Sequence, residues 1–281
     1  MFSLFHALEY TKPPHLDDIP DLLVTIQQGK GKKPVAAIKR ICELCDVGHK
    51  QNRVPTICSG KYDVLTPLAK CLTHKSGEIR HLACLALNNL SIPTENKRDM
   101  ALGPAAKAVI GGICKGIAED EERESHLCCI CLMNLSFLEA SITTILQHSP
   151  VKYRAAPVDP LENPDSLIRV LEKLLANFPS SPKSGSGKSE RVRWACGLIK
   201  NLAKSEDNAV LFGQTDIPKR IVDNLRNTNT PPNRGDSNSI EDFSLFIVLN
   251  LAQWDRSKDA RIDSGAFDVI KPIMAELRYG Y

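Results

Sequence analysis

Apolar residues recur at spacings of three and four along most of the chain, and Gly or Pro marks the joints between these stretches. The stretches 61–72 (KYDVLTPLAKCL) and 104–117 (PAAKAVIGGICKGI) are two examples. This spacing places the apolar side chains on one face of an α-helix. No strand-like pattern remains once the helical stretches are assigned, so the sequence predicts an all-α protein.

A repeated pattern emerges when four of the helical stretches are aligned on an asparagine. The stretches are HLACLALNNLS (81–91), HLCCICLMNLS (126–136), RWACGLIKNLA (193–203) and DFSLFIVLNLA (242–252). Each ends in Asn-Leu followed by Ser or Ala, and the aligned residues are Asn89, Asn134, Asn201 and Asn250. A polar stretch and a further helical pattern follow each copy. The repeating unit is therefore a short, a medium and a long helix, followed by a turn.

This unit resembles the armadillo repeat, whose third helix ends in a run of small residues, a leucine, an asparagine and another leucine. The resemblance covers roughly residues 16 to 278. It implies a right-handed α-solenoid, because a single repeat cannot bury its own apolar face and must stack on its neighbours. We therefore expect one armadillo-like domain over residues 1–281.

The aligned copies predict the repeat boundaries. A partial repeat is expected at about 16–48, where Glu43 stands at the asparagine position, and a terminal partial repeat at about 256–278. The complete repeats are expected at about 50–92, 95–138, 141–204 and 206–253. The third contains insertions near 150–164 and 179–190, and the fourth contains a loop at 229–239.

Charge and cysteine content narrow the partners and the cellular compartment that we expect for this protein. The chain has 36 basic and 33 acidic residues, and no long run concentrates one sign, so we expect no nucleic-acid partner. The most apolar run, 244–254, is too short to span a bilayer, and the chain does not begin like a signal peptide, so no membrane partner is expected. Ten cysteines without a secretion signal predict free thiols in the cytoplasm or the nucleus.

The resemblance also implies a binding surface, because the third helices of armadillo proteins line a concave groove that holds extended peptides. An asparagine amide offers both a donor and an acceptor to a peptide backbone. The candidate backbone-binding residues are Asn89, Asn134, Asn201 and Asn250. An alternative stays open, in which these amides form hydrogen bonds within the solenoid and stabilise helix ends.

Residues four, seven and eight positions before each asparagine lie on the same helical face. Importin-α-like receptors carry tryptophan at the fourth position before. This chain instead carries Leu85, Ile130, Gly197 and Phe246. The seventh position before the asparagine holds Leu82, Leu127, Trp194 and Phe243. The eighth holds His81, His126 and Arg193, which form a basic rim that Asp242 interrupts. We expect no nuclear-import cargo, but an apolar or amphipathic segment with some acidic character. Tighter packing between the helices is the alternative.

The cysteines of HLCCICLMNLS suggest metal or redox chemistry at first sight. In the repeat alignment, Cys128, Cys129 and Cys131 fall in small, buried packing positions, where a free cysteine behaves as a small hydrophobe. A second set, Cys42, Cys45, Cys71 and His74, has the spacing of zinc ligands, although ordinary repeat helices account for it too. The Ser-rich loop 180–189 is a hypothetical phosphorylation site.

No catalytic motif is apparent, so we expect no enzymatic activity and no cofactor. The leading interpretation is a non-enzymatic protein–protein interaction module or scaffold that binds a partner segment in the concave groove of the third helices. One alternative is a chaperone cofactor or small-GTPase regulator with an armadillo-like fold. Another is a structural subunit of a larger assembly.

Overall fold

The computed structural model describes residues 15–58, 61–119, 125–147, 161–162, 166–176, 187–227 and 239–254. These ranges hold α-helices and two short 3-10 turns, Leu16–Asp18 and Lys50–Asn52, and they contain no β-strand. The chain divides into two compact units, Met1–Ile113 and Cys114–Tyr281, which we call unit 1 and unit 2.

Unit 1 begins with a helical pair and continues with one complete three-helix repeat. Its helices are α1 (Ile19–Gln28), α2 (Lys33–Leu44), α3 (Arg53–Cys58), α4 (Leu65–Cys71), α5 (Gly77–Leu90) and α6 (Thr94–Leu102). Helix α7 (Ala106–Glu119) contains the division between the units. Gly31 adopts φ +66 in the turn between α1 and α2, a conformation that favours glycine over residues with a Cβ. Helix α2 packs against α1 and α5, and α3 packs against α6.

Unit 2 contains three more long helices at the repeat spacing. Its helices are α8 (Ser125–Leu135), α9 (Ser141–Gln147), α10 (Leu167–Ala176), α11 (Gly187–Leu202), α12 (Glu206–Gly213), α13 (Ile217–Asn227) and α14 (Ile240–Ala252). Helix α11 packs against both α8 and α14. Ser239 caps α14, because its Oγ accepts a hydrogen bond of 3.0 Å from the Asp242 N–H.

The observed helices differ from the predicted repeats in three places. In the second repeat the middle helix α7 has 14 residues and the third helix α8 has 11, so the order of short, medium and long does not hold there within the described residues. Helix α11 begins at Gly187, so residues 187–190 form a helical turn and not the end of an insertion. Ser239 is the N-cap of α14 and not simply the end of a loop.

Several predicted segments lie outside the described residues. These are the terminal partial repeat 256–278, most of the insertions 150–164 and 179–190, and the loop 229–239 apart from Ser239. Within the described ranges no single helix is long and apolar enough to cross a membrane. Helices α6 and α7 reach the required length and apolar content only when they are counted as one segment, and a bend of 92° separates them.

A residue seven positions after three of the aligned asparagines, Asn89, Asn134 and Asn201, closes the end of the third helix. Asn96 Nδ2 donates to Leu90 O at 2.9 Å, and Asn208 Nδ2 donates to Leu202 O at 3.1 Å. Ser141 Oγ makes the equivalent bond to Leu135 O at 2.6 Å. The last carbonyls of a helix have no partner inside the helix, so these buried side chains satisfy groups that would otherwise destabilise the fold. This repeat feature was not predicted from the sequence.

All cysteines except Cys58 are part of the core, as predicted for those of the HLCCICLMNLS stretch. Cys128, Cys129 and Cys131 are at most 1% exposed. Burial is the main reason why the pKa of Cys129 lies above its usual range, and it raises the pKa of Cys196 to about 12. Thiols with such pKa values stay protonated at neutral pH and are poor nucleophiles and metal ligands.

Gly197 lies where three helices of unit 2 meet and is fully enclosed. A Cβ at this position would lie 2.7 Å from Met133 Sδ on α8 and 3.0 Å from Phe243 Cε2 on α14. Both distances are shorter than normal van der Waals contacts. A side chain therefore cannot enter here without displacing the Met133 and Phe243 side chains.

We predict that Gly197→Ala lowers the free energy of unfolding by about 1–3 kcal/mol because of this overpacking, although alanine usually stabilises a helix relative to glycine. Urea denaturation measures the change. Gly77→Ala at the start of α5 is the control, since its Cβ would meet only the flexible end of Arg80 at 3.4 Å. Equal stability of the two variants would contradict the close packing at Gly197.

We predict that titration of the native protein with a thiol reagent modifies Cys58 rapidly and the other nine cysteines only on unfolding. All ten cysteines are free, and Cys58 is the exposed one. Cys58→Ser serves as the control, because it removes the rapid phase. Rapid modification of more than one thiol in the native state would show that the core opens more readily than its burial indicates.

Candidate functional site

The accessible side chains of the third helices of unit 2 are considered together and are called the third-helix face. It is formed by half-buried or exposed side chains of α8, α11 and α14, with α11 in the middle. The face consists of Leu127, Ile130, Asn134, Trp194, Lys200, Phe246, Leu249 and Asn250.

Helix α8 supplies one edge of this face. Leu127, Ile130 and Asn134 recur at spacings of three and four and are all half-buried, whereas the cysteines between them point into the core. His126 precedes them and is also half-buried, and its Nδ1 is a buried atom without a hydrogen-bond partner in the described ranges. The predicted residues of this helix therefore share one partly accessible side.

The aligned asparagines connect successive third helices. Asn201 on α11 is fully buried, and its Nδ2 donates to Ser136 Oγ at 3.0 Å and to Met133 O at 3.5 Å. Asn250 on α14 donates from Nδ2 to Lys200 O at 2.7 Å. Met133 and Lys200 each precede an aligned asparagine, so the same bond recurs one repeat later. We call this recurring bond the asparagine ladder.

The burial of two predicted groove residues, Asn201 and Phe243, contradicts part of the predicted binding surface. Asn201 is enclosed by the protein and is not available to a ligand in this structure, because its amide ties α11 to the end of α8. Phe243 is 1% exposed and packs in the core rather than on the accessible surface. The alternative interpretation, in which the asparagines stabilise the solenoid from within, therefore holds for the whole side chain of Asn201. For Asn250 it holds for the Nδ2 atom, which donates to Lys200 O.

An aromatic cluster joins α11 to α14. The Trp194 and Phe243 ring centroids are 6.4 Å apart with the rings tilted at 48°, a favourable arrangement of two aromatic groups. Trp194 Nε1 donates to Glu190 Oε2 at 3.0 Å, which fixes the orientation of the indole. Phe246 is 49% exposed and Leu249 is 44% exposed, so two large apolar side chains of α14 face the solvent.

Two of the cations of α11, Arg193 and Lys200, have different surroundings. Arg193 Nη1 lies 3.3 Å from Glu190 Oε1, and its guanidinium lies 4.9 Å from the centroid of the Trp194 ring. Lys200 Nζ lies 4.8 Å from the Phe243 centroid and 5.6 Å from the Phe246 centroid. Burial, and secondarily the positive charge of Lys204, lower the pKa of Lys200.

The remaining predicted residues belong to α5 of unit 1. Asn89, Leu85, Leu82 and His81 are all half-buried. In the first helical pair, Glu43 stands at the asparagine position and pairs with the buried Arg40 at 3.2 Å. This position of unit 1 is therefore occupied by an internal ion pair.

The possible zinc ligands do not converge. The described residues contain no group of three or more His, Cys, Asp or Glu side chains placed to hold a metal ion. Cys42 Sγ donates to Leu82 O at 3.1 Å, and Cys45 Sγ lies 3.9 Å from Thr56 Oγ1. His74 is exposed, and its Nδ1 accepts a hydrogen bond from the Ser76 N–H. These residues therefore have ordinary structural roles.

A polar cleft of about 550 Å³ lies beside α10 and α13 in unit 2. Its charged groups largely satisfy one another: Arg169 pairs with Glu172 at 2.8 Å, and Arg220 pairs with Asp216 at 3.6 Å. The Thr215 hydroxyl in this cleft donates to Phe212 O at 2.7 Å and accepts from the Ile217 N–H. The cleft thus shows no activated nucleophile among these lining residues.

Three residues of the site were missed or undervalued from the sequence. Glu190 was assigned to a loop, yet it organises Arg193 and Trp194 from the first turn of α11. Leu249 lies outside the positions that the repeat alignment selects. Lys200 directly precedes an aligned asparagine and likewise lies outside those positions. The spacing of three and four between Glu190, Arg193 and Trp194 was a usable signal for the first.

No family model and no curated protein matches this sequence. Solved structures do match. One similar structure comes from work on computationally designed armadillo repeat proteins for modular peptide recognition. Its TM-score is 0.68 with 14% identity, and the match covers 91% of this chain and 92% of that chain. A designed armadillo repeat protein in complex with the peptide (KR)4 is similar with a TM-score of 0.67 and 15% identity, over 91% of each chain.

A third similar structure comes from a study of a phosphorylation switch in the interaction between cadherin and β-catenin. Its TM-score is 0.67 with 13% identity, and the match covers 95% of this chain and 51% of that chain. At these identities the similarity establishes the fold alone. The fold is an all-α solenoid of the armadillo type, which confirms the prediction from the repeat.

We predict that Asn201→Ala lowers the free energy of unfolding by about 1–3 kcal/mol, because it removes buried hydrogen bonds between α11 and α8. Urea denaturation checks this value. Asn89→Ala is the matched control at the equivalent position of α5, where the amide is half-buried and no hydrogen bond of its side chain is found within the described ranges. A loss at Asn89 as large as that at Asn201 would contradict a special role for the ladder.

Proposed function

We propose that this protein is a non-enzymatic protein–protein interaction module that binds a partner segment along the third-helix face of unit 2. The observation that carries the proposal is the exposure of Phe246 and Leu249 on adjacent turns of α14, with Lys200 of α11 against the Phe246 ring. Neighbouring large apolar side chains on a surface are typical of interaction sites. The half-buried Leu127 and Ile130 extend the apolar character to α8.

The partner segment in this proposal is apolar or amphipathic and has some acidic character. The apolar part would rest on Phe246, while Lys200 supplies positive charge between α11 and α14. The similar designed protein is a complex with a strongly basic peptide, (KR)4, and a comparable ligand would meet like charge at Lys200. The designed proteins for peptide recognition and the β-catenin structure support peptide or protein binding in general.

Two further aspects of the proposal concern chemistry and location. The described clusters of titratable groups are engaged in internal pairs or buried among apolar side chains, which supports a binding role rather than catalysis. Free thiols at all ten cysteines are compatible with a reducing compartment, and we place the protein in the cytoplasm or the nucleus.

The test selects ligands from a displayed library of random peptides and measures their affinity by fluorescence anisotropy. We predict that Phe246→Ala weakens the selected peptides about ten-fold, because a partly exposed aromatic anchor contributes on the order of 1–2 kcal/mol. The ladder asparagines are unsuitable for this test, since their substitution would perturb packing.

Leu102→Ala is the control for this experiment. Leu102 ends α6 in unit 1, and with 42% exposure it is nearly as accessible as Phe246. We expect affinities within about two-fold of the unsubstituted protein, in line with the small effects of most surface changes. Failure to select any peptide, or equal losses in both variants, would refute binding at the third-helix face.

A further inference from the structure

Two of the positive side chains on α11, Arg193 and Lys200, differ in whether a carboxylate already neutralises them. Glu190 accepts hydrogen bonds from both Arg193 and Trp194, so the Arg193 charge is compensated within its own helix. Lys200 has no carboxylate within ion-pair distance among the described residues. Of the two cations, Lys200 is therefore the one whose charge is left for a ligand.

The environment of Lys200 holds the ammonium in place but solvates it poorly. The Nζ atom lies over the faces of Phe243 and Phe246, and ring faces attract cations. This attraction replaces only part of the hydration that burial removes, as the lowered pKa indicates. A carboxylate arriving from a partner would complete the compensation. Asp242 lies in the first turn of α14, and no ion pair joins it to Lys200 among the described residues.

The aromatic rings also reduce the entropy that Lys200 would lose on binding. An exposed lysine must give up rotamer freedom to form an ion pair, and this loss makes most surface pairs weak. Lys200 is half-buried and already rests against two rings, so much of its freedom is lost in the unbound protein. A carboxylate that pairs with Lys200 would therefore gain more binding free energy than one that pairs with a flexible surface lysine.

We propose that Lys200 is the specificity-determining residue of the third-helix face and selects partner segments in which an Asp or Glu side chain adjoins an apolar side chain. The carboxylate would pair with Lys200 Nζ, and the apolar side chain would pack on Phe246 and Leu249. This inference rests on the proposed function, because it names the chemistry that the same face prefers. It differs from the sequence-based expectation, which placed the basic character mainly at His81, His126 and Arg193.

The experiment repeats the random-peptide selection on the full chain and on two variants, Lys200→Met and Arg193→Met. Methionine keeps an unbranched apolar side chain while removing the charge. We expect Asp or Glu to be enriched at one position beside an apolar residue with the unsubstituted protein and with Arg193→Met. That enrichment should disappear with Lys200→Met. Lys219→Met, at an exposed position of α13, controls for the change in net charge.

A matched pair of synthetic peptides then measures the effect. The best selected sequence is compared with its Glu→Gln counterpart, and we expect the acidic peptide to bind the unsubstituted protein about ten-fold more tightly. The difference should fall below about two-fold with Lys200→Met and return with Lys200→Arg. High salt should weaken the acidic peptide but not its Gln counterpart, which tests the inference without any substitution.

The outcomes separate this inference from the function on which it rests. If peptides are selected and depend on Phe246 but show no acidic preference, the Lys200 inference fails and the binding face stands. The Lys200 inference fails in the same way if the preference survives in Lys200→Met or vanishes in Arg193→Met. If no peptide is selected by the unsubstituted protein, the proposed function fails and the inference fails with it.

Discussion

A hydrogen bond between successive third helices is the constraint on which the architecture of unit 2 depends. The amides of Asn201 and Asn250 each donate to the carbonyl of the residue that precedes the equivalent asparagine one repeat earlier. Each amide, buried in Asn201 and half-buried in Asn250, reaches a carbonyl in the last turn of a third helix, where the carbonyls have no backbone partner within the helix. The bond also sets the separation of the helices, and Gly197 accommodates the resulting close approach to Met133 and Phe243.

This constraint changes how the accessible face can recognise a partner. A side chain that holds the helices together cannot also be the main contact of a peptide backbone, so the proposed recognition relies on neighbouring positions. Phe246 and Lys200 occupy those positions, one exposed and apolar, the other charged and held against aromatic rings. Gly197 explains in physical terms why no tryptophan stands at its position: the space is already filled by neighbouring helices.

Particular residues show how far the sequence could be interpreted. The spacing of Asn-Leu pairs and the apolar periodicity predicted a helical repeat, because those patterns follow directly from the geometry of helices that must bury one side. The cysteines of HLCCICLMNLS were correctly assigned to packing by their alignment with small residues. Gly187–Glu190 was misassigned, because glycine and serine favour a loop locally, whereas the Glu190 bonds to Trp194 and Arg193 favour a helix.

The sequence by itself determined the all-α class, the repeat and which residues share each helical face, because helical periodicity is a property of one segment at a time. Only the tertiary structure decided which of those residues remain accessible and which charges are already paired. Asn201 and Asn250 look alike in sequence, yet one is enclosed and the other is half-buried. Arg193 and Lys200 are both basic, yet Glu190 neutralises the first. Burial and pairing depend on the neighbouring helices and on side-chain geometry, which a pattern along one helix does not contain.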